Sequence, residues 1–240
     1  MSNAEFNKAL ELLGSNVSDN VRVITPKDLK VPFLFRVDAK LPKVFIPSMP
    51  RSAAGSENST VARVVTAPTL FGCMSGHSHM VWLLLARDIG EGGLNHYRIS
   101  AFEFEKALLP SKKLVYDAED TEEAWLIAYN KETTEYRYKY YGELFFHKVA
   151  VHIKGNAKVN THIVDFCIHV AGEQGMPFTN GIFLEKGYYY VKGDFSRYAM
   201  PGGKGVPKRL SVSGKNDDLF EFTKISEKVY KSFKDISVTK

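Results

Sequence analysis

The alternation of apolar and polar positions divides the chain into two helical ends and a long middle of strands. Near the start, Phe6, Leu10 and Leu13 recur at i, i+4 and i+7, one face of a helix, and Gly14 closes the run. Ser2 and Glu5 stand at the spacing where each side chain satisfies the other's free backbone N–H. At the other end Phe222, Ile225, Val229, Phe233 and Ile236 form an apolar stripe. Lys224, Lys228, Lys231 and Lys234 lie outside it and read as a solvated face. With Asp218 and Glu221 at capping spacing, the pattern predicts one amphipathic helix over 218–236.

Between these ends the β-branched and aromatic residues cluster into strand-length runs. Phe33 to Val37, Ala62 to Thr66, Tyr97 to Phe104, Ala124 to Tyr129 and Leu144 to Ile153 are predicted strands. Tyr136-Arg137-Tyr138-Lys139-Tyr140 alternates strictly, a strand with one wet face. Val164, Phe166, Ile168 and Val170 alternate with Asp165, Cys167 and His169, which read as a polar outer row. Ile182 to Leu184 and Tyr188 to Val191 flank Glu185-Lys186-Gly187, a hairpin signal. Leu70 to His77 is the best internal helix, with Thr69 as N-cap. Phe35, Val64, Leu126, Phe146, Phe166 and Ile168 fall on the apolar phase of their strands and should be buried. Pro47 to Ser59, Asp88 to Asn95 and Tyr198 to Asn216 carry Gly, Pro and Ser without periodicity and read as loops. Residues 47–59 and 198–216 are expected to be the most mobile.

These elements predict an α+β fold: a mixed or mainly antiparallel β-sheet core with amphipathic helices at both termini. Residues 1–240 read as a single domain. Its core spans 31–155, and 156–240 is a C-terminal β-rich extension ending in a helix.

Composition narrows the setting. The longest apolar run, Met80 to Ala86, falls short of the roughly 18 residues that a membrane span needs. No basic segment followed by an apolar one opens the chain, so a cytoplasmic protein of a bacterial host is expected, without a membrane partner. Cys73 and Cys167 are the two cysteines, and their apolar neighbours suggest buried free thiols rather than a disulfide. The net charge of +5 permits an anionic partner without demanding one. Its distribution is uneven: 117–135 is acidic and the last forty residues are basic.

No strong catalytic or metal motif is present. Gly202-Gly203-Lys204-Gly205 does not link a strand to a helix and reads as a flexible turn. His77 and His79 have a spacing that some metal sites use, but no third ligand lies nearby in sequence, and no metal is expected. Asp165, Cys167 and His169 contain the residue types of a thiol site. Neighbours on one strand face stand about 7 Å apart, too far for direct proton transfer. His147 and His152 read as strand residues with local partners.

The arginines are more informative. Arg36 sits inside an apolar strand, Glu57 lies in the first loop, Arg63 precedes Val64-Val65-Thr66-Ala67-Pro68, and Thr121-Glu122-Glu123-Ala124-Trp125 opens another strand. A buried arginine needs an anionic partner. That partner is either a protein carboxylate, in an Arg–Glu pair that fixes strand order, or the phosphate of a ligand.

The order of these residues resembles a group of small uncharacterised bacterial and bacteriophage proteins over residues 31–155. The resemblance rests on the Arg36 strand, the loop with Glu57-Asn58, Arg63 to Pro68 with its helix, Lys113-Leu114-Val115-Tyr116, and Thr121-Glu122-Glu123-Ala124-Trp125-Leu126. The layout is also similar to the ADP-ribosyltransferase-like fold. That resemblance implies that Arg36, with Arg63, would bind the phosphates of NAD, that Thr66 would orient the site, and that Glu123 would be the catalytic acid. A carboxylate at that place can stabilise the positive charge that develops on the ribose. Three departures stand against it: the usual Ser-Thr-Ser triplet reads Val65-Thr66-Ala67, Pro68 directly follows, and no clear aromatic pair for stacking nicotinamide can be placed.

Three functions are therefore weighed. The first is an accessory interaction protein of bacteriophage or mobile-element origin that binds a macromolecule, most simply another protein, and needs no cofactor. The second is an NAD-dependent transferase or a degenerate relative. The third is nucleic-acid binding through Lys204, Lys208, Arg209 and Lys215. The binding protein is preferred because every catalytic reading lacks a required part.

Overall fold

The computed structural model of the chain describes residues 3–50, 58–76, 96–115, 118–129, 134–153, 160–194 and 220–238. In chain order its first half holds helices α1 (Asn3–Leu12) and α2 (Ser15–Ser18), strand β1 (Val21–Ile24), a 3-10 turn (Pro26–Asp28), strands β2 (Leu34–Asp38) and β3 (Arg63–Thr66), and helix α3 (Leu70–Gly76). Then come β4 (His96–Phe102), β5 (Ala107–Pro110), helix α4 (Ala118–Thr121), β6 (Ala124–Ile127) and β7 (Lys139–Ile153). The last part holds β8 (Asn160–Val170), β9 (Met176–Pro177), β10 (Phe183–Leu184), β11 (Gly187–Asp194), β12 (Phe220–Ile225) and helix α5 (Glu227–Val238).

The strands form a four-stranded sheet in the order β1-β5-β6-β3 and a six-stranded sheet in the order β12-β11-β8-β7-β4-β2, with β9 and β10 as a small separate pair. All the pairings between these strands are antiparallel, as expected for an α+β fold with helices towards both ends. In the larger sheet the strands of 156–240 (β12, β11, β8) lie on one side and those of 31–155 (β7, β4, β2) on the other, joined by the β7–β8 ladder. Phe35 of β2 and Ala67, just beyond β3, exchange backbone hydrogen bonds of 2.7 and 2.8 Å. The edge of one sheet is thus tied to the edge of the other. No helix among the described residues is long and apolar enough to cross a membrane.

Burial follows the apolar phase of the strands. Phe35, Val64, Leu126, Phe146, Phe166 and Ile168 are all in the core, as their alternation predicts. One face of the large sheet packs under α3 and the β9–β10 pair, through Phe71, Met74, Tyr141 and Phe178. The four-stranded sheet buries Trp125 and Leu108 against Phe6 and Ala9 of α1. Helix α3 starts as expected: Thr69 Oγ1 accepts the Gly72 N–H at 3.0 Å.

Several elements depart from the sequence pattern. The helix predicted over 218–236 begins only at Glu227, because residues 220–225 form β12. Phe220-Glu221-Phe222-Thr223-Lys224-Ile225 also alternates with period two, and β11 offers it a ladder from Tyr188↔Ile225 to Gly193↔Phe220. Paired there, Phe220 reaches the core, 5.5 Å from the Phe71 ring and 4.9 Å from Phe178. The hairpin predicted around Glu185-Lys186-Gly187 does not form: β10 pairs with β9, whereas β11 pairs with β8 and β12.

Residues 136–138 form no regular strand. Tyr136 makes a single bridge to Phe45, and β7 starts at Lys139. Cys167 is fully buried rather than in a wet row, because α5 covers that face. Most of the predicted loops, including 51–57, 88–95 and 198–216, lie outside the described residues, and so does the expectation about their mobility.

Candidate functional site

Arg63 and Glu123 meet on the Trp125 face of the β3–β6 pair. The ladder sets Arg63 opposite Ile127 at one end and Ala124 opposite Thr66 at the other, and the period-two alternation puts Glu123, Trp125 and Arg63 on the same face, so the two charges reach each other along the indole. Both side chains are nearly dry, 1% and 9% exposed, with Arg63 Nε 3.6 Å from Glu123 Oε1. Arg63 Nη1 donates to the carbonyls of Asn58 at 2.8 Å and Val61 at 3.1 Å. Its guanidinium lies 4.3 Å over the Trp125 ring, and the Trp125 Nε1–H donates to Glu123 Oε1 at 2.5 Å. The group is one interlocked unit: cation, carboxylate and indole each fix the other two.

Arg36 does not join it. Its guanidinium forks onto Asp38, with Nε and Nη2 each 2.9 Å from a carboxylate oxygen, and Nη1 donates to the Val65 carbonyl at 2.9 Å. Residues i and i+2 share a strand face, so Asp38 was the partner nearest to hand. Thr66 Oγ1 donates to the Ala124 carbonyl at 2.9 Å in the interior, a bond that clips β3 to β6. The residues of the transferase-like layout are therefore neighbours in the fold, and each is bonded to the protein itself. Arg36 and Glu123 do not form a pair.

Glu122, next to Glu123 in the chain, has no sequence signal of its own. It stands just after α4 with φ +48°, the left-handed conformation that a helix C-terminus often gives to glycine. The Glu123 N–H returns to the Ala118 carbonyl at 3.3 Å, which closes the helix end around it. Thr69 Oγ1 donates to Glu122 Oε2, and Asn180 Nδ2 donates to Oε1 at 3.4 Å. A glutamate held there costs about 1–2 kcal/mol of backbone strain, offset in part by these bonds. Burial raises the Glu122 pKa, and the hydrogen bond from Thr69 opposes that shift.

A carboxyl whose folded pKa is raised adds stability below its unfolded pKa, and loses that stability as pH rises through the folded value. Glu122→Gln keeps an oxygen for Thr69, gives up the longer bond to Asn180 and never ionises. Its melting temperature should match the wild type at pH 4 and exceed it at pH 7, as thermal denaturation at the two pH values would show. An equal or lower value at pH 7 would contradict this account.

The outer face of the large sheet carries a second polar cluster. The ladders align Arg98, Glu143, His169 and Tyr188 in one cross-strand row. Glu143 is buried yet collects donors: His96, Arg98, Tyr230 and Lys234. Burial pushes its pKa up, but the hydrogen bonds and charges of His96 and Lys234 outweigh this and hold it well below the usual carboxylate range. His169 stacks on Tyr188 with ring centroids 4.4 Å apart, and burial lowers its pKa. The two cysteines are buried free thiols. Burial pushes the Cys167 thiol up to about 12 and raises Cys73 as well, so neither is poised as a nucleophile.

Among the described residues no group of three or more His, Cys, Asp and Glu side chains could hold a metal ion. Lys204, Lys208, Arg209 and Lys215, proposed to contact nucleic acid, lie outside the described residues, as do Glu57, His77 and His79. His147 and His152 fall on β7, whose backbone alone is described there. Comparison of the chain with protein-family models, with curated proteins and with solved structures finds no match.

Proposed function

We infer that the chain is an accessory interaction protein that binds a macromolecule, most simply another protein, and that its transferase-like residues serve as scaffold. One observation carries this reading. Glu123, which would have to hydrogen-bond a ribose hydroxyl, is committed to Arg63 and Trp125 in a nearly dry setting. A catalytic carboxylate must be able to reach its substrate. Here a ribose would have to displace an indole N–H and compete with a guanidinium. Arg36, the phosphate anchor of the transferase reading, is likewise forked onto Asp38. A bidentate arginine–carboxylate pair of this kind is itself a stable arrangement.

The test is chemical. Protein incubated with millimolar NAD should leave the NAD intact, with no nicotinamide released above a protein-free control and no ADP-ribose on the protein. Nicotinamide release that disappears in Glu123→Gln would restore the transferase reading.

A further inference from the structure

Glu143 is held from two sides by two different parts of the chain. Its Oε2 faces the sheet, with His96 Nε2 at 2.8 Å and Arg98 Nη1 at 3.0 Å, both from β4. Its Oε1 faces the helix, with Lys234 Nζ at 2.7 Å and Tyr230 Oη at 3.1 Å, both from α5. Tyr230 and Lys234 are one helical turn apart, on the same face. Aromatic rings wall this place: the Tyr230 ring lies 5.2 Å from Phe145, 5.0 Å from Tyr188 and 6.0 Å from His169.

We propose that Glu143 and its aromatic wall form a socket for a helix of a partner protein that presents an aromatic residue and a lysine four positions apart, and that α5 is a built-in occupant which the partner displaces. This rests on the reading of the chain as a binding protein. The division of the carboxylate is the first argument. Breaking a buried ion pair is expensive when it strands a charge. Departure of α5 removes Tyr230 and Lys234 from Oε1 but leaves Oε2 with His96 and Arg98. The socket therefore stays electrostatically compensated when it opens.

The second argument is the shallow seat of α5. From Glu227 to Asp235, Tyr230 alone is buried, Phe233 and Lys234 are half-buried, and the rest are exposed. A helix of this length is marginal in water without tertiary contacts, so its local opening belongs to the low-stability end of the molecule. Only Ser226 separates α5 from β12, which keeps its own ladder to β11, so the helix can leave while the sheet stays intact. The third argument is the chemistry of the site. A carboxylate ringed by aromatic faces suits an ammonium group, and paired anchors at i and i+4 are how a helix is read from one side.

The probe is a fluorescein-labelled peptide of residues 226–238, titrated into the full-length protein. In the wild type the tethered α5 competes at a high effective concentration, so the peptide should bind weakly. The Tyr230→Ala/Lys234→Ala variant should bind it at least about 10-fold more tightly, because the competitor is weakened. Adding Glu143→Gln to that variant should remove the gain. A double variant that binds no better than the wild type, or a gain that survives Glu143→Gln, would overturn the proposal. So would a self-exchanged dimer of the double variant that takes up no peptide.

Circular dichroism checks that the variants fold. Hydrogen exchange on the wild type serves independently: α5 amides should exchange well ahead of those of β8, and equal protection would overturn the proposal whatever the variants do. Loss of peptide binding with NAD left intact would remove the socket and leave the binding-protein reading. Consumption of NAD would remove that reading itself.

Discussion

Glu123→Gln should lower the melting temperature by about 6–20 °C. The substitution removes the negative charge beside Arg63, whose side chain is 1% exposed, so the guanidinium loses the Glu123 charge in a nearly dry setting. Breaking a dry pair from one side costs about 3–5 kcal/mol. For a protein of this size each kcal/mol is worth about 2–4 °C. The Trp125 ring, 4.3 Å beneath the guanidinium, softens the loss without replacing a counter-charge. Replacing both partners by apolar residues of similar volume, Arg63→Met with Glu123→Met, should recover part of the loss: no charge of the pair then remains, but the Trp125 N–H and the Asn58 and Val61 carbonyls give up these bonds. Differential scanning calorimetry on the three proteins checks this. A Glu123→Gln protein as stable as the wild type would mean that water or a ligand reaches the site.

Gly142→Ala should be at least as damaging, for a backbone reason. Gly142 has φ +152° and sits in β7 opposite Val170. A Cβ there would run into the carbonyl oxygen of His169 on β8, which is main chain and cannot swing aside. The position follows a bulge: Ile99 pairs with Gly142 and Ser100 with Tyr140, so Tyr141 is the extra residue. That extra residue sends Tyr141 into the core, where its ring lies 5.1 Å from Phe35 and its hydroxyl donates to the Gly175 carbonyl at 2.7 Å. Separating β7 from β8 should cost more than about 3 kcal/mol and show as a low yield of folded protein. Gly14→Ala is the control. Gly14 has φ +78° and ψ 161°, a region kept almost to glycine, but nothing lies within 4 Å of a Cβ there, so the change should cost only the local strain of about 1–3 kcal/mol. Equal effects of the two substitutions in urea denaturation would contradict the assigned clash.

These residues also show what could be read in the sequence. The α+β class, the core positions and the cap of α3 were legible because their signals are local. An alternating run points to a strand, and a threonine before an apolar turn points to a helix start. Residues 220–225 fit both a helical stripe and a strand alternation, and the ladder to β11 decides between them. That ladder joins residues far apart in the chain, so no local rule could weigh it. The bulge at Tyr141 was hidden for the same reason: it shifts the phase of a strand only against its neighbour.

The candidate site was legible as a set of residue types and not as a set of pairs. The need of a buried arginine for a carboxylate could be read, but which arginine meets which carboxylate depends on β3 lying beside β6. Two local clues were present all the same. Arg36 and Asp38, and likewise Glu123 and Trp125, stand two apart, the spacing that puts side chains on one side of an extended chain. The Glu143 cluster gathers residues 96, 98, 143, 230 and 234 and had no sequence signature at all.

The most direct measurement is a thermal-shift series on the wild type and Glu123→Gln, each with and without millimolar NAD. A ligand that binds only the folded state raises the melting temperature by mass action. The account predicts that NAD moves neither protein and that Glu123→Gln melts well below the wild type in both conditions. A rise of the wild-type melting temperature with NAD, together with a Glu123→Gln protein as stable as the wild type, would contradict it and make Glu123 a residue of a nucleotide site.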